Sequence, residues 1–254
     1  MTDKIGKARK KKNRIWIFAF LLMIAVAVFL SLLYLRKLSW NHYFASQYTV
    51  HGADVSYYQG EIDWEILSKQ IDFAFIKATE GSYHVDVRFE ENRQKATESG
   101  LTFGAYHFFS FESSGRTQAE NFIATVGKWD GMLRPVVDVE YYSTTEEIAS
   151  TDEIQRNLQE MLMMLEEYYG CKPILYATQS SYFTLLQGKF RDYPLWIRNV
   201  YVKPLIPGRR WIFWQYEDSA ELDGYYGEQD KIDLNVFYGS REDLEKYRIY
   251  ERKE

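Results

Sequence analysis

Two carboxylates, Asp138 and Glu140, close the apolar run PVVDVEYY, Pro135 to Tyr142. Residues two apart on a strand point the same way, with Cα atoms ~6.6 Å apart, so the pair shares one face. Two acids that close raise the proton affinity of one of them, and partial burial adds to the effect. Glu140, longer and nearer the strand end, is suited to stay protonated as a general acid, with Asp138 ionised beside it. Standing alone, a D-x-E pair reads more readily as a salt-bridged or loop-capping pair, so the rest of the chain has to decide.

Such a pair needs elements to hold it. Apolar runs alternate with helical patterns: TVHGADVS then DWEILSKQ, DFAFIKATEG then RFEENRQKATES, LTFGAYHFF then RTQAENFIATVG, PVVDVEYY then TDEIQRNLQEMLMMLEEYYG, and KPILYAT then a short helix near SYFTLLQG. Strand, helix, strand at this spacing predicts βαβ units and a parallel sheet. After Pro194 the rhythm changes to PLWIRNV, RWIFWQYE and KIDLNVFY, strands with loops between them. Five βα units and a β-rich end predict an α/β fold, an irregular, incompletely wound barrel; an open doubly wound sheet is the alternative. Asp63 and Thr151 are candidate N-caps, and Gly100 and Gly170 candidate helix stops. Leu158, Leu162 and Leu165 form a stripe that packs on the sheet, and Met161, Met163 and Met164 read as packing rather than cofactor contacts.

In a parallel α/β barrel, functional groups gather where the strands end, because the βα loops there face one opening. The strand ends supply Asp54, Glu80, His107, Asp138, Glu140, Tyr176, Trp196, Gln215 and Asp233. That mixture suits a carbohydrate: aromatic faces stack on sugar rings, amides and carboxylates bond hydroxyls, and paired acids protonate a glycosidic oxygen. GxSxG, HExxH, GxxxxGK[ST] and GxGxxG are all missing, and the single cysteine, Cys171, has no evident activating partner. Asp54, Asp138, Glu140, Asp233 and His107 could assemble a metal site, as in polysaccharide deacetylases, but no short ligand spacing supports one. Neither metal nor other cofactor is expected. Rotamers let one i, i+2 pair reach either the ~5–5.5 Å separation of retaining glycosidases or the ~6.5–9.5 Å of inverting ones, so stereochemistry stays open. Two acids on one strand are also poorly placed to flank a sugar. The nucleophile or base is therefore sought in Asp54, Asp233 or a 2-acetamido oxygen of the substrate.

Charge divides the chain. Residues 1–37 hold nine Lys/Arg and one acid; the rest holds 22 basic and 35 acidic residues, net −13. An acidic domain without a basic stripe argues against nucleic acid as a partner. Residues 15–35, IWIFAFLLMIAVAVFLSLLYL, carry no charge and would span roughly 30 Å as a helix, the thickness of a bilayer core. The run is longer than a signal peptide's apolar region and no clear A-x-A site follows, which favours a retained anchor over cleavage and secretion. Seven basic residues before it set the N-terminus in the cytoplasm and the domain outside, periplasmic or extracellular. The expected organisation is a cytoplasmic basic segment (1–14), a transmembrane signal anchor (15–35), a juxtamembrane linker (36–48) and one domain (49–248).

Several motifs occur in order over about residues 50–240: GADVSYYQGEIDW, FAFIKATEGSYHVD, GLTFGAYHFF, AENF, RPVVDVE, KPILYAT, YPLWIR, FWQY and IDLNVFYGS. In these the sequence resembles the glycoside hydrolase family 25 lysozymes, the Chalaropsis-type muramidases. The resemblance implies a TIM-like (β/α)5(β)3 barrel that hydrolyses the β-1,4 bond between N-acetylmuramic acid and N-acetylglucosamine in peptidoglycan. It puts the catalytic acid on Glu140, its companion on Asp138, and two further aspartates on Asp54 and Asp233. It also implies a retaining reaction in which the substrate's acetamido group takes part. Tyr58, Glu80, His107, Tyr176, Trp196 and Gln215 are the candidate substrate-binding residues. Three features depart from the family pattern: Tyr57 and Tyr58 in SYYQG, His84 after TEG, and Arg198 in PLWIR where a small residue is commoner. The implied partner is the glycan strand, with the membrane held through the N-terminal helix and no obligate protein partner evident. Two other classes compete: a non-catalytic peptidoglycan-binding or wall-assembly protein on the same fold, which the intact acids disfavour, and a chitinase, whose DxxDxDxE strand is broken by Val136.

Overall fold

The structure, a computed structural model, describes residues 2–34, 40–142, 149–227 and 231–250, which fall into two compact units, Met1–Trp40 and Asn41–Glu254. The first unit is built on one helix, α1 (Thr2–Tyr34). Its stretch Asn13–Leu32 has 20 residues at a mean hydropathy of 2.8, enough length and apolarity to cross a membrane. Residues 35–39, the last of the expected span and the first of the expected linker, lie outside the described residues.

The second unit opens with α2 (Asn41–Ala45), followed by β1 (His51–Val55), α3 (Trp64–Leu67), β2 (Phe73–Glu80), β3 (His84–Val85) and α4 (Phe89–Glu98). Then come β4 (Thr102–Phe108), α5 (Gly115–Val126), β5 (Val136–Val139), α6 (Thr151–Tyr169), β6 (Ile174–Thr178) and α7 (Gln179–Ser181) with a π-helical turn behind it. The end of the chain supplies β7 (Leu195–Arg198), β8 (Phe213–Ala220), β9 (Ile232–Phe237) and α8 (Arg241–Leu244). Strands β1, β2, β4, β5, β6, β7 and β8 pair in parallel in that order, and β9 runs antiparallel between β8 and β1. Eight strands thus close on themselves, with β3 a short flap on the end of β2. Five βα units and three strands joined without helices make the expected barrel; the β1–β9 pairing excludes the open sheet.

Alternation along each strand divides the core in two. Inside the barrel lie Phe73, Phe75, Val136, Ile174, Tyr176, Trp196, Phe213 and Phe237; between barrel and helices lies the larger cluster with Ala74, Ile76, Leu158, Leu162 and Leu165. So many rings inside eight strands require glycine opposite them. A Cβ on Gly52 would stand 2.5 Å from the Phe73 ring, and one on Gly104 2.8 Å from Leu133 Cβ. The aromatic floor that results fills the lower barrel and leaves polar side chains only at the mouth.

The α6 stripe of Leu158, Leu162 and Leu165 is buried as expected, with Met161 beside it and Met164 packed against its edge, but Met163 is exposed because it falls on the helix's outer side. Asp63 caps α3, its side chain accepting from Ile66 N–H at 3.1 Å. At α6 the cap is Ser150 rather than Thr151, since the Ser150 hydroxyl accepts from Glu153 N–H at 3.3 Å and Thr151 is the first helical residue. Gly170, at φ 72°, ends α6 in the left-handed conformation that favours glycine.

Candidate active site

The mouth of the barrel holds a cleft of ≈ 200 Å³ lined by Asp54, Tyr58, Asp138, Glu140, Tyr176, Trp196, Gln215 and Asp233, together with Lys77, Tyr106 and Phe108. Asp54 and Asp233 stand opposite each other in the β1–β9 register. In the ring of strands β9 lies four places from β5, which carries Asp138 and leads to Glu140. The four acids therefore form two pairs on facing walls of one cleft.

A hydrogen-bond network fixes the β1–β9 pair. Gln215 Nε2 donates to Asp54 Oδ1 at 2.9 Å and Oδ2 at 3.1 Å, and to Asp233 Oδ2 at 3.1 Å. Asn235 Nδ2 donates to Asp54 Oδ1 at 2.6 Å, while Asn235 accepts from Trp196 Nε1 at 2.8 Å. The Tyr176 hydroxyl donates to Gln215 Oε1 at 3.0 Å and fixes which way that amide points. Burial pushes the Asp54 carboxyl up to about 6 against the pull of its Asn235 and Gln215 donors. Asp233 is raised well above the usual carboxylate range, by burial first and then by the Asp54 charge, and holds a hydrogen bond with Asp54. The amide donors gathered on Asp54 favour its ionised form, and that charge beside Asp233 favours the protonated form of Asp233.

The β5 pair has few partners. Asp138 is 7 % exposed and its Oδ1 is buried without a hydrogen bond, so burial, then Glu140, then Asp54 raise its proton affinity well above normal. Glu140 is half-buried at the mouth, and among the described residues no protein group hydrogen-bonds its carboxyl. Burial raises its proton affinity as well, with the charges of Arg198 and Lys77 opposing. The ordering differs from the sequence expectation, because Asp138 lies deeper and is the acid whose ionised form burial disfavours more.

Two expected residues do not line the cleft. His107 follows the inward-facing Tyr106 on β4, so it points behind the wall, fully buried against Phe122 of α5. There Thr79 Oγ1 bonds its Nδ1 at 2.7 Å and Gln118 Oε1 its Nε2 at 3.0 Å, and burial pushes its pKa down to about 4. The metal-ligand set that included His107 is therefore split by the barrel wall, and among the described residues no three His, Cys, Asp or Glu side chains are grouped to hold a metal. Glu80 lies beyond the rim and reaches the cleft only through Lys77, whose Nζ donates to Glu80 Oε2 at 2.7 Å. Lys77, Tyr106 and Asn235 are site residues that the sequence reading missed. Each sits two positions from a residue it could have been read with: Phe75, Gly104 and Asp233.

The exposed rim is aromatic. Tyr57 and Tyr58 lie 4.1 Å apart between centroids with their planes tilted by 33°, and Phe108 meets Tyr142 at 5.6 Å, ring surfaces of the kind that sugars pack against. Facing acids above an aromatic floor, with ring platforms at the rim, are what protonation of a bound sugar's glycosidic oxygen requires.

The family model for the glycosyl hydrolases family 25 matches residues 53–225. The chain is 40% identical over 209 residues to the uncharacterized protein YegX of Escherichia coli (strain K12), covering 80% of this chain and 74% of that one. It is 32% identical over 204 residues to Lysozyme M1 of Streptomyces globisporus, covering 75% and 68%. A solved family 25 glycosyl hydrolase from Bacillus anthracis superposes with a TM-score of 0.75 at 46% identity, over 79% of this chain and 94% of that one. With the barrel, the facing acids and these matches, the chain belongs to the glycosyl hydrolases of family 25 and is a glycoside hydrolase.

Proposed function

We propose that this chain is a membrane-anchored muramidase that hydrolyses the β-1,4 bond between N-acetylmuramic acid and N-acetylglucosamine in peptidoglycan, with Glu140 as the general acid. The observation that carries the reading is the contrast among the four acids: Asp54 and Asp233 are tied to each other and to amide donors, Asp138 is enclosed, and Glu140 is at the mouth, of raised proton affinity and, among the described residues, without a protein hydrogen bond. A proton held there is available to a leaving-group oxygen. The charge left on Glu140 once that proton is given up raises the proton affinity of Asp138 beside it, so the two acids do not both stay ionised in the pocket. Across the cleft, the Asp54–Asp233 pair holds one proton between two carboxylates, an arrangement that can grip an acetamido N–H and steady the positive charge of the transition state. The anchor reading rests on the 20-residue apolar stretch of α1 and the seven basic residues ahead of the uncharged run.

Digestion of purified peptidoglycan by the full-length protein in detergent, followed by reducing-end analysis, tests the reading. New reducing ends on N-acetylmuramic acid are expected, with Glu140→Gln about 10³-fold slower and its wall binding unchanged. Reducing ends on N-acetylglucosamine would move the assignment to a glucosaminidase. Binding without release by the wild type would favour the non-catalytic wall protein.

A further inference from the structure

The flank of the barrel that carries α2 and the segment after β7 exposes large apolar side chains with no role in the cleft. Tyr43 is 64% exposed, Tyr201 66%, Val202 59% and Leu205 79%. We propose that this flank is a membrane-docking surface, seated at the headgroup level of the bilayer that α1 spans; it rests on the anchor reading above.

The surface is built rather than loose. Asn199 Oδ1 accepts from the backbone N–H groups of Tyr201 at 3.1 Å and Val202 at 3.0 Å. The Asn199 carbonyl accepts from Trp214 Nε1 at 2.9 Å and from Asn41 Nδ2 at 3.0 Å, and Asn41 also donates to the Tyr216 carbonyl at 3.0 Å. One buried asparagine thus joins α2 to the strand that follows the segment. Leu205 is held outward between buried Pro204 and Ile206, an order that wastes apolar surface in water.

Chain connectivity and charge identify the occupant. Asn41 follows Tyr34, the last residue of α1, by seven residues, a reach of at most roughly 25 Å even when extended. A bilayer crossed by α1 is therefore within reach of α2, and tethering supplies an effective concentration on the order of millimolar to a surface too small to bind membranes strongly alone. Tyrosine rings favour the membrane–water interface. Residues 199–211 carry Lys203, Arg209 and Arg210 and no acid, although the rest of the chain after residue 37 is strongly acidic, and that local charge suits anionic headgroups. Arg198, at the end of β7, precedes Tyr201 by three residues, so docking would hold the β7 side of the rim beside the membrane. The cleft would then meet the glycan strands nearest the bilayer.

The test uses the full-length protein carrying Cys171→Ser, reconstituted in phosphatidylglycerol–phosphatidylcholine liposomes. An environment-sensitive fluorophore is attached at Val202→Cys, at Leu205→Cys or, as a control on the far side of the barrel, at Thr97→Cys. Labels at 202 and 205 are expected to shift to the blue and to be quenched by nitroxide lipids, while the label at 97 stays as in water. If all three labels report water and the protein stays in the liposomes after an alkaline wash, docking is overturned and the anchor stands. Release by that wash removes the anchor reading and docking with it. A blue shift that nitroxide lipids do not quench and that grows with protein density would assign the flank to a second copy of the chain instead.

Discussion

Tyr106 and His107 are neighbours on one strand and belong to different kinds of structure. Tyr106 turns into a cleft where, of four carboxylates, the β5 pair is held without donors among the described residues; His107 turns behind the wall, where both its ring nitrogens have partners. Its Nε2 faces Gln118 Oε1 and its Nδ1 the Thr79 hydroxyl, while Gln118 Nε2 donates to the carbonyls of Ser110 and Ser113. In the cleft, Asp138 Oδ1 is buried with no partner among the described residues. Burial acts on both regions with opposite sign, pushing His107 down to about 4 and Asp54 up to about 6, because in each it disfavours the charged form. A satisfied buried group stabilises the fold, whereas one left without a protein partner costs stability that a bound water or ligand can offset.

The contrast is broken most severely at Asp138. Asp138→Asn is expected to lower glycan hydrolysis by about 10²-fold, since the charge left on Glu140 after proton transfer loses the neighbour that can take up a proton beside it. Stability should move the other way. A carboxyl whose proton affinity is raised on folding contributes stability below its unfolded pKa and loses it as pH climbs through the folded value, so at neutral pH this acid weakens the fold. Asparagine cannot ionise, and the melting temperature at pH 7 should rise, by about 1–2 kcal/mol in stability. Calorimetry at pH 7 and pH 4 checks this, because the gain should shrink in acid. A variant less stable at pH 7 would place Asp138 among the satisfied groups.

His107→Ala should give the reverse result. It leaves Thr79 and Gln118 without their partner inside a packed layer, at a cost of about 3 kcal/mol. For a domain of this size that lowers the melting temperature by roughly 6–12 °C. Below the transition, turnover should stay within about twofold of wild type, because no atom of His107 reaches the cleft. Its pH signature is also opposite to that of the acids: a histidine depressed to about 4 contributes stability above its unfolded value and loses it as pH falls towards 4, so the wild type's advantage over His107→Ala should fade in acid. Full stability with lost activity would return His107 to the catalytic candidates.

Most of the barrel was legible because alternating βα units and closely spaced strand ends follow from hydrophobic period alone, and PVVDVEYY was readable as a strand with two acids on one face. What escaped was parity carried across strands. Reading GAYHFF as a strand end picks out its histidine, yet Gly104 had to face inward to make room for Phe75 and Leu133, which turns Tyr106 inward and His107 out. Likewise Asp233 was visible and Asn235, two residues on, was not, although it donates to Asp54. The bulge between Lys77 and Thr79 in the β2–β4 register lies beyond any periodic reading, and it turns Thr79, two positions after the inward-facing Lys77, behind the wall to meet His107. The Ser150 cap was missed for a simpler reason: Ser and Thr are adjacent, and only the backbone angle, φ −61° and ψ 150° at Ser150, tells them apart.

The smallest effect concerns Arg198, the last residue of β7. It lies two positions after Trp196 on the cleft side of β7, beside Gln215 in the register, and is paired with Asp218 on β8. Burial raises the Glu140 proton affinity and the Arg198 charge is first among the influences opposing it; the same charge lowers Asp54, Asp138 and Asp233. A general acid works only while protonated, so activity falls on the basic side as pH passes through its pKa. Arg198→Gln removes the opposing charge, and the basic limb of the pH–rate profile should move to higher pH, with little change in the plateau rate. Glutamine keeps a polar side chain at the rim, which separates charge from packing. Measuring the profile at low and high salt sharpens the test, because a half-buried arginine is only partly screened and most of the displacement should survive added salt. If the basic limb stays where it is, Arg198 is a strut for the β7–β8 edge through Asp218 and does not tune the acid.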